Sequence, residues 1–196
     1  MAKQTDSYYR KAKTEGFAAR SVFKLEELDR KYKLFRAGQK ILDLGAAPGS
    51  WMQYVSERVG EKGLVVAIDR NPLRTQVPAN CRVLQADVLA VSSTELKEEF
   101  GSFDGLISDL APQTTGDHEG DHARSVELCR CAFALANDLL VPGGSFVCKM
   151  YQGEESKEFL VSLQRSFQTA KIQKPKASRA ESREIFFVAT SYFRGS

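Results

Sequence analysis

The run Ile-Leu-Asp-Leu-Gly-Ala-Ala-Pro-Gly-Ser-Trp at residues 41–51 constrains the fold more than any other stretch of the chain. It is typical of a buried strand, a loop of small residues and the start of a helix in immediate succession. A glycine at a strand end lets the backbone turn and approach a ligand closely, and the helix N-terminus offers unpaired N–H groups. We therefore expect Gly45 and its neighbours to line a nucleotide pocket of an α/β protein.

Strand-like apolar runs recur along the chain, with helix-like stretches between most of them. They cover residues 41–44, 64–69, 82–87, 103–109, 144–151, about 169–173 and 184–192. This alternation predicts an α/β fold with a doubly wound, mainly parallel sheet of seven strands. Because the loop between the last two runs is too short for a helical crossover, the last strand should be antiparallel.

Four acidic residues indicate which nucleotide this pocket takes. Asp43 lies beside the loop, and Asp69, Asp87 and Asp109 each end or nearly end an apolar run. In a parallel sheet these strand ends share one edge. A dinucleotide would bring a pyrophosphate to several carboxylates, whereas S-adenosylmethionine carries a positive sulfonium and ammonium. The loop also lacks the G-x-G-x-x-G pattern of dinucleotide sites, so S-adenosylmethionine is favoured over NAD.

Length and composition indicate a single domain spanning residues 1–196, in which residues 1–40 form a basic N-terminal extension and a helix that packs on the core. Val22, Leu25 and Leu28 form an apolar stripe on that helix, and Lys24 lies on its flank. No apolar segment approaches the roughly 20 residues needed to span a membrane. We expect a cytoplasmic protein with reduced cysteines, no membrane association and, by default, a monomeric state.

The charge distribution is asymmetric. Residues 1–40 hold 11 basic and 5 acidic residues, a net charge of +6, and residues 171–196 carry +4 around a middle segment of −7. If both ends fold onto one side, they form a basic surface suited to a polyanion such as RNA. The candidate RNA-binding residues are Arg10, Lys11, Lys13, Arg20, Lys174, Lys176, Arg179 and Arg183, with Lys3, Tyr8 and Tyr9 beside them.

Lys149 is a charged residue within an apolar run that otherwise reads as buried. Because lysine is rarely buried without a partner, its position indicates a nearby carboxylate. Asp109 follows an apolar strand and precedes a Pro-bounded loop, and Glu184 opens the last apolar run. An Asp in such a place could equally cap a turn, and the Glu could equally serve solubility at a strand edge.

These motifs, in this order and spacing, resemble the FtsJ-type heat-shock RNA 2′-O-methyltransferases over nearly the whole chain. The matching stretches are Arg-Ser-Val-Phe-Lys-Leu at 20–25, the loop motif at 43–51, Ser-Asp-Leu-Ala-Pro at 108–112, Pro-Gly-Gly-Ser-Phe-Val-Cys-Lys at 142–149 and Ser-Arg-Ala-Glu-Ser-Arg-Glu at 178–184. Ser50 and Gln113 depart from the glycine and asparagine that relatives often carry. The resemblance implies a Rossmann-like class I methyltransferase domain.

The resemblance also implies a catalytic quartet, which we place on Lys24, Asp109, Lys149 and Glu184. It implies S-adenosylmethionine contacts at Gly49, Trp51, Asp69, Asp87 and Asp109, which join Asp43 and Gly45 of the loop motif. The implied activity is 2′-O-ribose methylation of large-subunit (23S) ribosomal RNA, at a uridine in the assembled large subunit. The implied partner is therefore ribosomal RNA or the large ribosomal subunit.

Residues 116–122 contain both histidines and three acidic residues, a composition that suggests a metal site. Because the resemblance implies no metal and such loops are usually solvated, we interpret this stretch as a mobile loop on the substrate side. Other functions remain open at this point. They are the same methylation on transfer RNA or an mRNA cap, a non-catalytic RNA-binding factor of ribosome assembly, and a small-molecule methyltransferase.

Overall fold

The structure, a computed structural model, describes residues 2–179 and 181–193, with side chains from residue 7 onward. Its strands are β1 (Lys40–Leu44), β2 (Leu64–Asp69), β3 (Cys81–Gln85), β4 (Phe103–Ser108), β5 (Leu140–Tyr151), β6 (Phe167–Gln173) and β7 (Glu184–Tyr192). They form one sheet in the order β3-β2-β1-β4-β5-β7-β6. Strand β7 pairs antiparallel with β5 and β6, and the pairs among β1 to β5 are parallel. The predicted fold class is confirmed.

Six α-helices cover the two faces of this sheet. They are α1 (Ala2–Thr14), α2 (Val22–Tyr32), α3 (Ser50–Val59), α4 (Ser93–Phe100), α5 (His118–Leu139) and α6 (Ser156–Gln164). Successive strand residues face opposite sides. Ile41 therefore joins the core beneath α2 and α3, whereas Leu42 joins the core beneath α4, α5 and α6. No helix of the described residues is long and apolar enough to cross a membrane.

Several strand boundaries differ from the sequence prediction by one to four residues, and two of them have a clear local cause. Strand β5 begins at Leu140, whereas the sequence prediction starts it at residue 144. Pro142 and the following glycines suggest a turn, but they lie in a bulge within the strand. Strand β3 ends at Gln85 instead of residue 87. Asp87 accepts a hydrogen bond from the Leu89 amide and begins a short 3₁₀ turn there, which ends the extended backbone.

The two basic ends of the chain meet on one side of the sheet. Ala12 of α1 and Ala177 of the segment before β7 are buried in the same small cluster, together with Val22 and Phe23 of α2. Arg20 donates a hydrogen bond of 2.8 Å to the Ala177 carbonyl. The basic residues of both ends therefore lie around the start of α2, the helix that carries Lys24.

Candidate active site

The loop between β1 and α3 is shaped by a glycine, Gly45, and a carboxylate, Asp69. Gly45 has φ +78°, and a Cβ there would lie 3.0 Å from the Leu110 amide nitrogen, so the position accepts no larger side chain without strain. Asp69, at the end of β2, accepts hydrogen bonds from the amides of Ala47 at 2.9 Å and Asn71 at 2.7 Å. The carboxylate thus fixes the loop across the neighbouring strand end.

A cavity of about 480 Å³ opens at this edge of the sheet. That volume lies within the range of about 300–1,000 Å³ usual for small-molecule sites. Three of the predicted carboxylates, from the ends of β2, β3 and β4, line it together with Gly45. The lining residues that matter for recognition are Gly45, Asp69, Asn71, Asp87, Leu89, Asp109, Pro112 and Arg124. The cavity is therefore a negatively charged cleft with apolar walls.

Asp43 lies beneath this cavity with a fully buried side chain. Neither of its carboxylate oxygens has a hydrogen-bond partner among the described residues. Burial, followed by the neighbouring charges of Asp109 and Asp69, raises the pKa of Asp43 well above its ordinary value. Such a site favours a cation close by, which is the charge that S-adenosylmethionine would bring.

Asp109 and Lys149 form the first of two ion pairs at the edge of the cavity. The Lys149 ammonium lies 2.8 Å from Asp109 Oδ1 and donates a hydrogen bond of 2.8 Å to the Asp109 main-chain oxygen. Burial lowers the pKa of Lys149, but the Asp109 and Glu184 carboxylates outweigh it, and the net pKa is raised. Lys149 is therefore an ammonium ion in the free protein at neutral pH.

Lys24 and Glu184 form the second ion pair, with 2.6 Å between Nζ and Oε2. Ser182 donates a further hydrogen bond of 3.1 Å to the same carboxylate oxygen. Burial raises the pKa of Glu184, but the charges of Lys24 and Lys149 and these hydrogen bonds outweigh it, and the net pKa is lowered. Because Glu184 also influences the pKa of Lys149, the two pairs form one charge network.

The start of α2 is tied to the cofactor-side loop, which positions Lys24. The Ser21 and Ser50 hydroxyls lie 3.0 Å apart, and the Trp51 indole N–H donates to the Ser21 carbonyl at 3.1 Å. The Trp51 ring also packs on Phe186 of β7 with 6.0 Å between ring centroids. These contacts hold α2, α3 and β7 together. Lys24 is thereby placed close to Glu184.

A second cavity, of about 370 Å³, lies against the second ion pair. Its lining combines basic, acidic and hydroxyl side chains from the start of α2 and from the segment that leads into β7. These residues are Arg20, Ser21, Lys24, Arg179, Glu181, Ser182 and Glu184. The first cavity thus reaches Asp109 of the charge network, and the second reaches Lys24 and Glu184.

The predicted cofactor residues fall into two groups. Gly45, Asp69, Asp87 and Asp109 line the first cavity, whereas Asp43 lies beneath it. Gly49 and Trp51 are buried and are not among the described lining residues, and the Trp51 indole lies in the core.

Sequence reasoning missed the contribution of α5 to this cavity. Arg124, Glu127 and Leu128 line it from one face of the helix. Their spacing of three and four residues is the available signal, but it marks a shared helix face without indicating what that face contacts.

The candidate RNA-binding residues surround the second cavity unevenly. Lys174, Lys176 and Arg179 are exposed, as are Arg10, Lys11 and Lys13 of α1. Arg20 lines the cavity itself. Arg183 donates to the carbonyls of Gln152 and His118, so its guanidinium is engaged in holding loops together. The side chain of Lys3 lies outside those described.

The interpretation of residues 116–122 as a mobile loop is wrong. Asp117 accepts hydrogen bonds from the Glu119 and Gly120 amides and caps α5, which begins at His118. Asp121 and His122 are buried, and each is satisfied by a polar partner on another segment. Among the residues that the structure describes, no cluster of His, Cys, Asp or Glu could hold a metal ion. All four cysteines are free thiols.

Comparison with known proteins places this geometry in a family. The profile of the FtsJ-like methyltransferases matches residues 17–192. The ribosomal RNA large subunit methyltransferase E of Nitratidesulfovibrio vulgaris is 47% identical over 194 residues, covering 98% of this chain and 96% of the relative. The protein of the same name in Bdellovibrio bacteriovorus is 44% identical over 189 residues, with 95% and 96% covered.

A solved structure agrees with the sequence relatives. The crystal structure described as that of a ribosomal RNA methyltransferase from Plasmodium falciparum has a TM-score of 0.80 and 28% identity. The match covers 90% of this chain and 98% of the Plasmodium falciparum chain. The chain belongs to the FtsJ-like methyltransferase family.

Proposed function

We propose that the chain transfers a methyl group from S-adenosylmethionine to a ribose 2′-hydroxyl of large-subunit ribosomal RNA. The observation that carries this proposal is the charge network, in which Lys149–Asp109 and Lys24–Glu184 lie at the edges of two adjacent cavities. Family membership supports methyl transfer. The names of the sequence relatives support large-subunit ribosomal RNA as the acceptor.

The first cavity would hold S-adenosylmethionine, which when bound supplies an electrophilic methyl group on a positively charged sulfur. The unpartnered carboxylate of Asp43 and the lining carboxylates fit a cationic ligand. Asp69 would accept from the hydroxyls of the cofactor ribose, since each of its oxygens can accept more than one hydrogen bond. Asp87 and the exposed Leu89 would bound the opposite end of the ligand.

Lys149 would orient the acceptor hydroxyl as an ammonium ion. Its two partners among the described residues are both on Asp109, which leaves one of its three N–H donors for the acceptor oxygen. A raised pKa opposes loss of a proton to solvent before the reaction. Lys149 would therefore hold the hydroxyl in line with the methyl group, and the hydroxyl proton would pass late in the step to the Glu184 carboxylate or to solvent.

Glu184 would accept a hydrogen bond from the acceptor nucleotide on the other side. Its lowered pKa keeps it a carboxylate at neutral pH, and Lys24 and Ser182 both contact its Oε2. The remaining oxygen can face the ribose. Lys24 would act through Glu184 as a positioning residue, because its ammonium is engaged with that carboxylate at 2.6 Å.

The second cavity would receive the acceptor nucleotide, with its phosphates on the basic residues around it. Arg20 and Arg179 line the cavity, and exposed lysines at 174 and 176 extend the positive surface. Arginine and lysine contacts to phosphate position RNA without reading its sequence. Selection of one nucleotide would then depend on the shape of the folded RNA or of the assembled subunit.

Methyl transfer from tritiated S-adenosylmethionine tests this function. The acceptors are large ribosomal subunits that lack the modification, naked large-subunit ribosomal RNA, and transfer RNA. We expect label on the large subunit or its RNA. Label confined to transfer RNA would overturn the substrate, and no transfer by protein that binds S-adenosylmethionine would overturn catalysis in favour of an RNA-binding assembly role.

A further inference from the structure

Asp121 and His122 are adjacent in the first turn of α5, and both are buried with 7% and 6% of their surface exposed. Their partners lie on two different segments. Asp121 contacts the loop that follows β4, and His122 contacts the end of β5. Asp109 directly follows β4 and Lys149 lies in β5, so the start of α5 holds both sides of the first ion pair.

Asp121 holds the loop at residues 110–117. Its Oδ1 accepts from the Thr115 amide at 3.0 Å, from the Thr115 hydroxyl at 3.3 Å and from the Arg124 guanidinium. Arg124 also donates to the Thr115 hydroxyl at 3.0 Å, and it lines the first cavity. The loop that begins beside Asp109 is therefore fixed to α5 through a charged carboxylate, whose pKa these bonds lower.

His122 holds the end of β5 together with Ser125. The Nδ1 atom of His122 lies 2.6 Å from the Tyr151 carbonyl oxygen. The Ser125 hydroxyl accepts from the Tyr151 amide at 3.1 Å and donates to the His122 carbonyl at 2.7 Å. Because side chains two residues apart share one face of a strand, Tyr151 and Lys149 point to the same side of the sheet. Both main-chain polar atoms of Tyr151 are thus tied to α5.

The two ring nitrogens of His122 require a particular protonation state. Nδ1 faces a carbonyl oxygen, which can only accept, so it carries a hydrogen. Nε2 lies 2.5 Å from Oε2 of Glu155, and an unprotonated nitrogen there would place its lone pair against a carboxylate lone pair. The pKa of Glu155 is lowered, by its own backbone amide and then by His122, which keeps it a carboxylate. The imidazolium form satisfies both contacts.

We propose that Asp121 and His122 are positioning residues for methyl transfer, and that His122 completes this arrangement only as the imidazolium ion. The proposal rests on the proposed function, since that function assigns Asp109 and Lys149 to the reaction. A neutral imidazole cannot satisfy both contacts, so it would hold the end of β5 less firmly.

Other charged groups surround this histidine from each neighbouring segment. Glu155 precedes α6, and Arg130 of α5 lies close enough to Glu155 to lower the pKa of that carboxylate. Arg183, before β7, donates to the His118 carbonyl on the preceding turn and to the Gln152 carbonyl. Only Glu155 contacts an imidazole nitrogen among the described charged side chains, so it is the residue to change.

The variant Glu155→Gln separates this proposal from a merely structural contact. A glutamine amide can donate to the Nε2 lone pair of neutral histidine and can accept from the imidazolium, so the variant tolerates both forms. We expect the ratio of kcat in Glu155→Gln to kcat in the wild type to rise severalfold as the pH is raised. The ratio cancels the titration of Lys149 and of the substrate. A ratio that stays constant with pH would overturn the proposal.

Nitrogen NMR of histidine-labelled protein gives a readout that does not depend on activity. The chain has two histidines, and the exposed His118 on the same helix is assigned with the control variant His118→Gln. We expect both ring nitrogens of His122 to be protonated at the pH of highest activity. A neutral single tautomer at that pH would overturn the proposal. If the wild type lacks activity while His122 is an imidazolium, the proposed function fails and the protonation state stands.

The variant His122→Asn tests the positioning role with a smaller risk to folding than alanine. Its amide keeps a donor for the Tyr151 carbonyl and loses the contact with Glu155. We expect kcat to fall about tenfold, the cost of one charged hydrogen bond, with the S-adenosylmethionine Kd unchanged. Unchanged kcat in folded variant protein would overturn the proposal.

Discussion

The ammonium nitrogen of Lys149 lies 2.8 Å from a carboxylate oxygen of Asp109 and 2.8 Å from the main-chain oxygen of the same residue. One buried lysine is thus held by both the side chain and the backbone of the residue that directly follows β4. The carboxylates around it raise its pKa although burial alone would lower it. This geometry favours an ammonium group that orients the acceptor hydroxyl. It does not favour a neutral amine that removes the proton of that hydroxyl.

The first prediction concerns the pH dependence of the chemical step. If Lys149 had to lose its proton first, the single-turnover rate would rise about tenfold per pH unit below its pKa. Because Lys149 acts as an ammonium ion in our proposal, we expect no such rise between about pH 6.5 and 8.5. Rapid-quench measurement with saturating cofactor and RNA checks this, and a slope of about one would contradict the positioning role.

Two substitutions of Lys149 provide the control for that experiment. Lys149→Met removes the charge and should lower the rate about 100-fold or more, as removal of a preorganised donor does. Lys149→Arg retains a cation with several donors and should be measurably faster than Lys149→Met. Equal inactivity of the two variants, both folded by circular dichroism, would favour proton removal by Lys149.

The second prediction separates cofactor binding from turnover. Asp69→Ala removes a carboxylate that lines the first cavity and holds its loop, so the Kd for S-adenosylmethionine should rise about tenfold or more. Glu184→Gln changes the second cavity, so that Kd should stay within about twofold while kcat falls about 100-fold. Calorimetric titration beside the methyl-transfer assay measures both. A cofactor Kd raised equally in the two variants would contradict the separation of the cavities.

The third prediction follows from the buried carboxyl group of Asp43. Its pKa is raised in the folded protein, so folding favours the protonated form. The wild type therefore loses stability as the pH rises above the unfolded-state value of about 3.9, until the folded-state pKa is passed. The neutral variant Asp43→Asn lacks this loss. Its melting temperature relative to the wild type should be higher at pH 7 than at pH 4.

Cofactor binding should respond to Asp43→Asn in the opposite direction. A bound cation favours the ionised form of Asp43, which the neutral variant cannot adopt, so we expect a higher Kd for S-adenosylmethionine at pH 7. Thermal unfolding from pH 4 to pH 8, with and without the cofactor, gives both results. A melting-temperature difference that does not change with pH would show that Asp43 keeps its charge in the folded protein.

The fourth prediction concerns the basic surface around the second cavity. Lys174 and Lys176 are exposed beside Arg179, whereas Lys62 is exposed directly before β2, at the opposite end of the sheet. Each phosphate contact contributes about 0.7–0.9 to the slope of log affinity against log salt. Lys174→Gln with Lys176→Gln should reduce that slope and weaken RNA binding, and Lys62→Gln should change neither. Equal effects would indicate general attraction without a defined path for RNA.

Much of the fold was predictable because apolar runs and turn residues mark the strands directly. Strands β2 and β7 coincide with the predicted runs, and the antiparallel last strand followed from a short connection. The boundary of β5 was not predictable, because Pro142 and Gly143 are turn residues that a bulge also accommodates. Local composition does not reveal which of the two the sheet requires.

The candidate site was predictable where a charge interrupts an apolar pattern. Lys149 stood out for that reason, and its inferred carboxylate partner is Asp109. Lys24 pairs with Glu184, which lies 160 residues further along the chain. No local sequence pattern indicates this contact. Asp121 and His122 were misinterpreted because their polarity is typical of a solvated loop. His122 contacts Tyr151 and Glu155, about 30 residues further along the chain, and Asp121 contacts Thr115 in the preceding loop.

The measurement that tests the central proposal most directly identifies the atom that receives the methyl group. RNA labelled by the wild type and by Lys149→Met is digested to nucleosides and separated beside standards of base-methylated and 2′-O-methylated nucleosides. We expect the wild-type label in one 2′-O-methylated nucleoside of large-subunit RNA and almost none from the variant. Label on a base, or equal labelling by Lys149→Met, would contradict ribose methylation by this charge network.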